Sequence, residues 1–328
     1  MKLTLVQGNR KGWIDALRGL AMFLVLFGHF IDPKPAYFLF TSPLRMPLFF
    51  AISGYLLKAD KTVGQFLKNL VRSLIIPWLI LGFFRLILLI PSRGVAYIPE
   101  GLIRLITGVD LWFMPCFIIA VTLFFLLRKY LKKFLWIALA SFAAFGMGVL
   151  LNRSGFLPNL APNQALTVLP YFVIGYLFKT FEDFFRKLSW WYVGLAALVY
   201  TGVHLLATRI FPSTWIDMSR VDYYNIPFCL FLSYLGVLCL FTATSKADFK
   251  SWVLSFIGQN TLVIYIWSGG AVAILVALAA RLGWNIPVND WTALMKAVYA
   301  CIVCGLCSVI LERFVPWVVG KKKTTAGR

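Results

Sequence analysis

Acidic residues are scarce in this chain and histidine is scarcer still: 12 Asp or Glu and 2 His in 328 residues. Charged side chains of both signs together reach only 13%. A soluble protein of this size needs far more, because its surface is covered largely by Lys, Arg, Asp and Glu. Soluble globular folds are thereby excluded. The shortage of histidines and carboxylates also leaves nothing to complete a metal site around the row Cys301, Cys304 and Cys307. That row reads as small residues packing one helix against another, and no metal is expected. All six cysteines lie in or near apolar segments, so a disulfide framework is unexpected too. No small-residue cleavage site follows the short basic start of Lys2, Arg10 and Lys11, and the first apolar stretch is therefore expected to stay as a helix. Soluble domains, low-complexity tracts and clear internal repeats are missing.

What the chain has in quantity is hydrocarbon. Hydrophobic residues make up 61%, and the mean hydropathy is +0.83. Apolar windows of roughly 17 to 25 residues recur along the whole length, each able to cross about 30 Å of bilayer core. Ten spans are predicted, at 14–31, 43–57, 74–91, 111–127, 134–151, 164–180, 189–211, 224–243, 261–281 and 292–312. The expected fold class is all-α: a polytopic integral membrane protein of about ten transmembrane helices. A single domain covers residues 1–328, with short basic tails at 1–12 and 320–328.

An even number of spans puts both termini on one side, and the basic residues say which. With the termini inside, the inner segments carry 20 Lys or Arg and the outer loops carry 8. That asymmetry predicts both termini in the cytoplasm. The net charge of +20 is explained by this topology. Its residues lie in short clusters between spans, without a groove-reading motif, so nucleic acid is not an expected partner.

The first span, WIDALRGLAMFLVLFGHF at 13–30, spends three ionisable groups on one helix: Asp15, Arg18 and His29. Eleven steps of about 100° bring His29 back to within about 20° of Arg18, so the two share a face about 16 Å apart along the axis. Asp15 lies one turn before Arg18 and Asp32 one turn after His29. Charged groups inside a span cost several kcal/mol unless paired or hydrated, so a polar stripe of this kind tends to line a cavity or a functional path. An inner-interface ion pair of Asp15 with Arg18, and a His29 resting among the outer headgroups, would be the alternative.

The segment LRGLAMFLVLFGH carries an arginine and a histidine with ten residues between them, as does the first span of the membrane acyltransferase 3 family. The likeness continues in order through RMPLFFAISGYLL at 45–57, RSLIIPW at 72–78, LWFMPCFIIA at 111–120 and IGQNTLVIYIW at 257–267. Across essentially the whole chain it resembles the branch of fucose 4-O-acetylase-like sugar acetyltransferases. The resemblance implies a ten-helix bacterial inner-membrane O-acetyltransferase. Such an enzyme moves an acetyl group from cytoplasmic acetyl-CoA to a hydroxyl of a cell-surface glycan, exopolysaccharide or lipid-linked sugar. Acetyl-CoA enters as cosubstrate, with no resident cofactor, and homo-oligomerisation stays open. Arg18 and His29 correspond to the essential catalytic pair. A neutral imidazole suits the task of deprotonating a sugar hydroxyl, whereas a permanently charged guanidinium suits the phosphates of CoA.

Three positions depart from the family pattern. Arg45 stands before MPLFF where histidine is usual, Ser268 follows Trp267 where a Y-x-x-H-like stretch often ends, and a two-arginine pattern is reduced to Asn69 and Arg72. Around the pair, Asp15, Asp32 and Asp110 are candidates to orient His29 or Arg18. Arg72 and Lys68 are candidates for acyl-CoA, and Arg45, Trp112, Ser53 and Tyr55 for the acceptor. Each has an ordinary alternative: Arg45 as a snorkelling interfacial side chain, Ser53 and Gly54 as close packing, Trp112 as membrane-belt tryptophan and the lysines as topology anchors. His204, with no motif around it, reads as a hydrogen-bonded structural histidine. A sugar transporter or flippase also places charge at mid-membrane depth, and a succinyltransferase would use the same scaffold. Both remain open from sequence.

Overall fold

The computed structural model describes residues 11–31, 36–156, 158–210, 216–223 and 225–321. It is 81% helical with almost no strand. The N-terminal half holds α1 (Gly12–Phe30), α2 (Ala36–Leu56), α3 (Val63–Leu70), α4 (Ile76–Arg93), α5 (Ile98–Ile106), α6 (Phe113–Tyr130) and α7 (Phe134–Arg153). After these come α8 (Pro162–Thr167), α9 (Leu169–Thr180), α10 (Glu182–Lys187) and α11 (Trp190–Ile210). The chain ends with α12 (Ile226–Lys246), α13 (Trp252–Gln259), α14 (Thr261–Arg281) and α15 (Asp290–Phe314). A two-stranded antiparallel hairpin, β1 (Ile216–Asp217) with β2 (Asp222–Tyr223), interrupts the helices between α11 and α12.

Each expected span coincides with helix, and the fold is an all-α polytopic membrane protein. Eight helices among the described residues are long and apolar enough to cross a bilayer, the run from Val63 to Ile90 counting as one. The other two expected spans have identifiable irregularities. Pro43 and Pro47 sit inside α2 and cannot donate to the carbonyls of residues 39 and 43, a defect that membrane helices absorb through their neighbours. The sixth span breaks at Val168 into pieces of 6 and 12 residues.

Four short helices were not foreseen as helices. α3, capped by a reciprocal Thr62–Gln65 box, α5 and α10 lie in segments read as loops. α13, capped by Ser251, precedes the ninth span. Between α3 and α4 the chain widens into a π-helical turn, Val71–Ile75. Pro77 lacks the N–H that would bond the Ser73 carbonyl, which accounts for the loosened turn.

Two helix crossings are so close that only glycine fits. A Cβ on Gly175 of α9 would lie 1.7 Å from the Ala51 carbonyl of α2, and one on Gly54 would lie 2.0 Å from that of Phe172. The crossing of α1 with α13 is built the same way: a Cβ on Gly19 would meet the Leu254 carbonyl at 1.9 Å, and one on Gly258 the Asp15 carbonyl at 2.0 Å. Close backbone approach through small residues is how membrane helices associate without a hydrophobic drive between them. α1, the helix of the polar stripe, is thus clamped along its first half by α13.

The segments expected inside meet one another at one end of the bundle. Lys11 reaches Glu182 at 2.5 Å, Arg128 donates to the Leu57 carbonyl at 2.7 Å, Lys129 to that of Lys61 at 2.9 Å, and Lys246 to that of Arg186 at 3.1 Å. The segments expected outside meet at the other end. Ser42 pairs with the Ile216 backbone, Gln164 donates to the Ser219 carbonyl at 2.8 Å and Asn152 to that of Arg220 at 3.1 Å.

Candidate active site

At that second end, a cavity of about 500 Å³ opens among α1, α2, α4, α14, the hairpin and the loop before α6. Its size is that of a small-molecule site, which typically spans about 300–1,000 Å³. The last turns of α1 contribute Val25, Leu26 and His29, and His29 is exposed there. From α2 come Ser42 and Arg45, from α4 Arg85, and from the loop Asp110 and Trp112. The hairpin roofs it with Asp217 and Met218, and α14 closes the far side with Tyr265 and Ser268.

The elements that hold these side chains are tied to each other. Ser42 Oγ accepts from the Ile216 N–H at 3.3 Å and donates to its carbonyl at 3.4 Å, fastening the hairpin to α2. Trp267 Nε1 donates to the Leu81 carbonyl at 2.9 Å, one turn before Arg85, and so fixes α14 on α4. Met218, Val221 and Tyr223 of the hairpin are buried, so the roof is a packed part of the fold.

Asp110 is the electrostatic centre of the wall. Its carboxylate accepts from Arg104 Nε at 2.7 Å, from the Tyr97 hydroxyl at 2.9 Å and from Arg85 Nη1 at 3.2 Å. Burial alone would push the carboxyl up, but the bonds from Arg104, Tyr97 and Arg85 outweigh it and hold it below the usual carboxylate range. Tyr97 is correspondingly raised, by burial first and then by its bond to Asp110. The Asp110 side chain is 10% exposed and that of Arg85 16%, so this is a largely desolvated pair. Asp217 is engaged as well: its Oδ1 accepts from the Ser219 N–H at 2.9 Å and from the Ser219 hydroxyl at 2.5 Å, while Oδ2 faces Arg220 Nε at 3.9 Å.

Of the residues singled out from sequence, His29, Arg45, Asp110 and Trp112 are brought together in this cavity. Asp32 lies outside the described residues. Arg18 is half-buried two turns below Val25 and is not part of the lining. Asp15, buried near the start of α1, accepts from Gln259 Nε2 at 3.3 Å across the α1–α13 crossing. Ser53 donates to the Phe49 carbonyl of its own helix at 2.8 Å, and its neighbour Gly54 serves packing. Tyr55 lies at the opposite end, where its hydroxyl donates to Glu182 at 2.7 Å beside Lys11. There Lys11 and Tyr55 overcome the effect of burial and hold the Glu182 carboxyl low. Lys68 and Arg72 are exposed on α3 and the π-helical turn.

His204 is buried between Phe40 and Tyr200, with ring centroids 5.1 and 6.3 Å away. Neither of its nitrogens has a hydrogen-bond partner among the described residues. It is a packed aromatic rather than the hydrogen-bonded residue expected. Sequence reading missed Arg85, Asp217 and Tyr265 as cavity residues. For Arg85 a signal existed, since an arginine in the middle of an apolar span asks for a polar environment. Among the described residues, no group of three or more His, Cys, Asp or Glu is placed to hold a metal.

A family model described as an acyltransferase domain matches residues 11–313, nearly the entire chain. No curated protein and no solved structure matches it.

Proposed function

The chain belongs to the acyltransferase 3 family and is a membrane acyltransferase; on that premise we propose that it transfers an acetyl group from acetyl-CoA to a hydroxyl of a glycan or lipid-linked sugar. His29 is the general base in this reading. The observation that supports it most is the exposure of His29 to a cavity that also presents Trp112, a flat ring for a sugar to stack on. The reading places the Lys11–Glu182 end in the cytoplasm, on the excess of basic residues there. The cavity then faces the side on which surface glycans are assembled, in the inner membrane of a bacterium.

The chemistry runs as one displacement. The neutral imidazole of His29 takes the proton of the acceptor hydroxyl as its oxygen attacks the thioester carbonyl carbon. A C–O bond forms, the C–S bond breaks, and the departing thiolate takes the proton back from the imidazolium. Arg18, nearer the cytoplasmic end, is proposed to hold phosphate of the donor, for which a guanidinium has the matching geometry. The cavity lining on α1 begins at Val25, and Ala21 and Met22 are buried in helix packing between it and Arg18. Donor entry from the inner end is therefore a separate step from acceptor binding, one that displaces this packing.

The test is transfer from radiolabelled acetyl-CoA by the purified full-length protein in detergent, comparing wild type with His29→Ala and His29→Gln. Loss of about 10²-fold or more in either folded variant is the expected result, the usual worth of a general base. Undiminished turnover in a folded His29→Gln protein would remove the assignment. Movement of a sugar across vesicles without acetyl-CoA consumption would replace the enzyme by a transporter.

A further inference from the structure

The hairpin that roofs the first cavity also walls a second one. This cavity, of about 310 Å³, opens at the same end of the bundle, between the last turn of α7, the hairpin and the start of α12. Asn152 and Arg153 line it from α7, Arg220 and Asp222 from the hairpin. Ser219 lines the first cavity and Arg220 the second, so a single peptide unit divides the two linings. Asp217 and Asp222 repeat the division: one lines each cavity, and the two are partners in the hairpin ladder. Directly opposed residues of an antiparallel pair hold their Cβ atoms about 4.5–5.5 Å apart on one face. The cavities therefore lie side by side.

The wall of the second cavity carries polar groups that the fold leaves unused. Asn152 spends an amide N–H on the Arg220 carbonyl at 3.1 Å, while its Oδ1 is buried with no hydrogen-bond partner among the described residues. Arg153 and Asp222, both exposed, make no hydrogen bond or ion pair among the described residues. Between Arg220 and Asp222, Val221 is held at a φ of 55° although it is β-branched and buried. Strain of that kind persists only where the surrounding packing imposes it, and it gathers at ligand sites.

We propose that the second cavity is a glycan subsite, taking the sugar residue next to the one acylated at His29. The acceptor is then an oligosaccharide whose chain lies across the Asp217–Asp222 rung. The inference rests on the glycan reading of the first cavity and adds a minimum length to the acceptor. An amide oxygen, a carboxylate and a guanidinium supply acceptors and donors together, and each sugar hydroxyl both donates and accepts, so adjacent hydroxyls serve all three. A simple anion would be repelled by Asp222, and an apolar group would leave Asn152 Oδ1 unpaired.

The test uses surface glycan from cells deleted for this chain, partly hydrolysed and separated into a monosaccharide and an oligosaccharide fraction. The full-length protein in detergent receives radiolabelled acetyl-CoA with each. Oligosaccharides should be acylated with a kcat/KM about ten-fold or more above that of monosaccharides, the worth of one hydrogen bond to a charged group. Arg153→Ala and Asp222→Ala should each raise KM for oligosaccharides by about the same factor, leave kcat in place and leave monosaccharide turnover unchanged. Neither side chain is bonded within the described fold, so both variants should keep the wild-type melting temperature. Arg281→Ala, at an exposed position outside both linings, should change nothing. Equal kcat/KM for the two fractions, or an oligosaccharide KM that both variants leave unmoved, would show that the second cavity is not a subsite. Native mass spectrometry with the oligosaccharide fraction and no donor keeps the two readings apart. Oligosaccharide bound by wild type and lost in Asp222→Ala, with no label transferred, upholds the subsite and sinks the acyl-transfer reading. His29-dependent transfer that serves both fractions alike sinks this inference alone, and glycan neither bound nor acylated sinks both.

Discussion

Replacing Asp110 by Asn tests the electrostatic design of the cavity wall with almost no change in shape. The amide still accepts from one or two donors, but the charge that holds Arg85 is gone. Arg85 is 16% exposed, close to the case in which breaking one half of a buried ion pair costs about 3–5 kcal/mol. The bond to Arg104 adds little, because that side chain is 37% exposed and solvent screening limits such pairs to about 1 kcal/mol or less. A loss near 3 kcal/mol, or more than a hundred-fold in the folding equilibrium, is therefore expected at neutral pH.

The sign with pH sharpens the test. A carboxyl held below its ordinary value of 3.8 stabilises the fold fully above that value and stops doing so as pH falls through the lower, folded one. The gap between wild type and Asp110→Asn should thus be constant from neutral pH down to about 5 and close below 3.8. Unfolding by SDS in mixed micelles, followed by circular dichroism at a series of pH values, measures it. A gap under about 1 kcal/mol at pH 7, the worth of a surface pair, or one that stays open at the lowest pH, would show that Asp110 is not the anchor of Arg85.

Other expectations concern packing, topology and chemistry. Gly175→Ala forces a Cβ to 1.7 Å from the Ala51 carbonyl and should cost at least the 1–3 kcal/mol typical of overpacking. Gly194→Ala on α11, where nothing lies within 4 Å, should be neutral or mildly stabilising; equal melting of the two variants would discount the crossing. Fluorescent-protein and alkaline-phosphatase fusions at the C-terminus should report a cytoplasmic end, and phosphatase activity there would invert the assigned orientation. Transfer activity should survive EDTA and the triple substitution of Cys301, Cys304 and Cys307 by Ala, since a metal on that row is not part of the reading; chelator-sensitive turnover restored by zinc would refute it.

Helix positions and the two ends of the bundle were legible because both depend on properties averaged over twenty residues: apolar length and the distribution of Lys and Arg. The short helices were not, for the same reason. α3, α5, α10 and α13 have only 8, 9, 6 and 8 residues, too few to register against the span length, although the Thr62–Gln65 and Ser251 caps mark two of their starts. The site was legible in the part that lies near helix ends. His29, Arg45, Asp110 and Trp112 all fall at the outer boundary of a predicted span, and four residues sharing one membrane depth were free to meet. Depth also explains where motif reading went astray. Arg45 and Tyr55 belong to one apolar motif, yet ten helical steps separate them by about 15 Å, and only Arg45 reaches the cavity while Tyr55 joins Glu182 at the far end. The same arithmetic governs the first span. Arg18 and His29 share a face, but they lie about 16 Å apart along the axis, and the cavity stops at Val25. Periodicity identifies which residues look in one direction; only the packing of Ala21 and Met22 against their neighbours decides whether a substrate can pass between them.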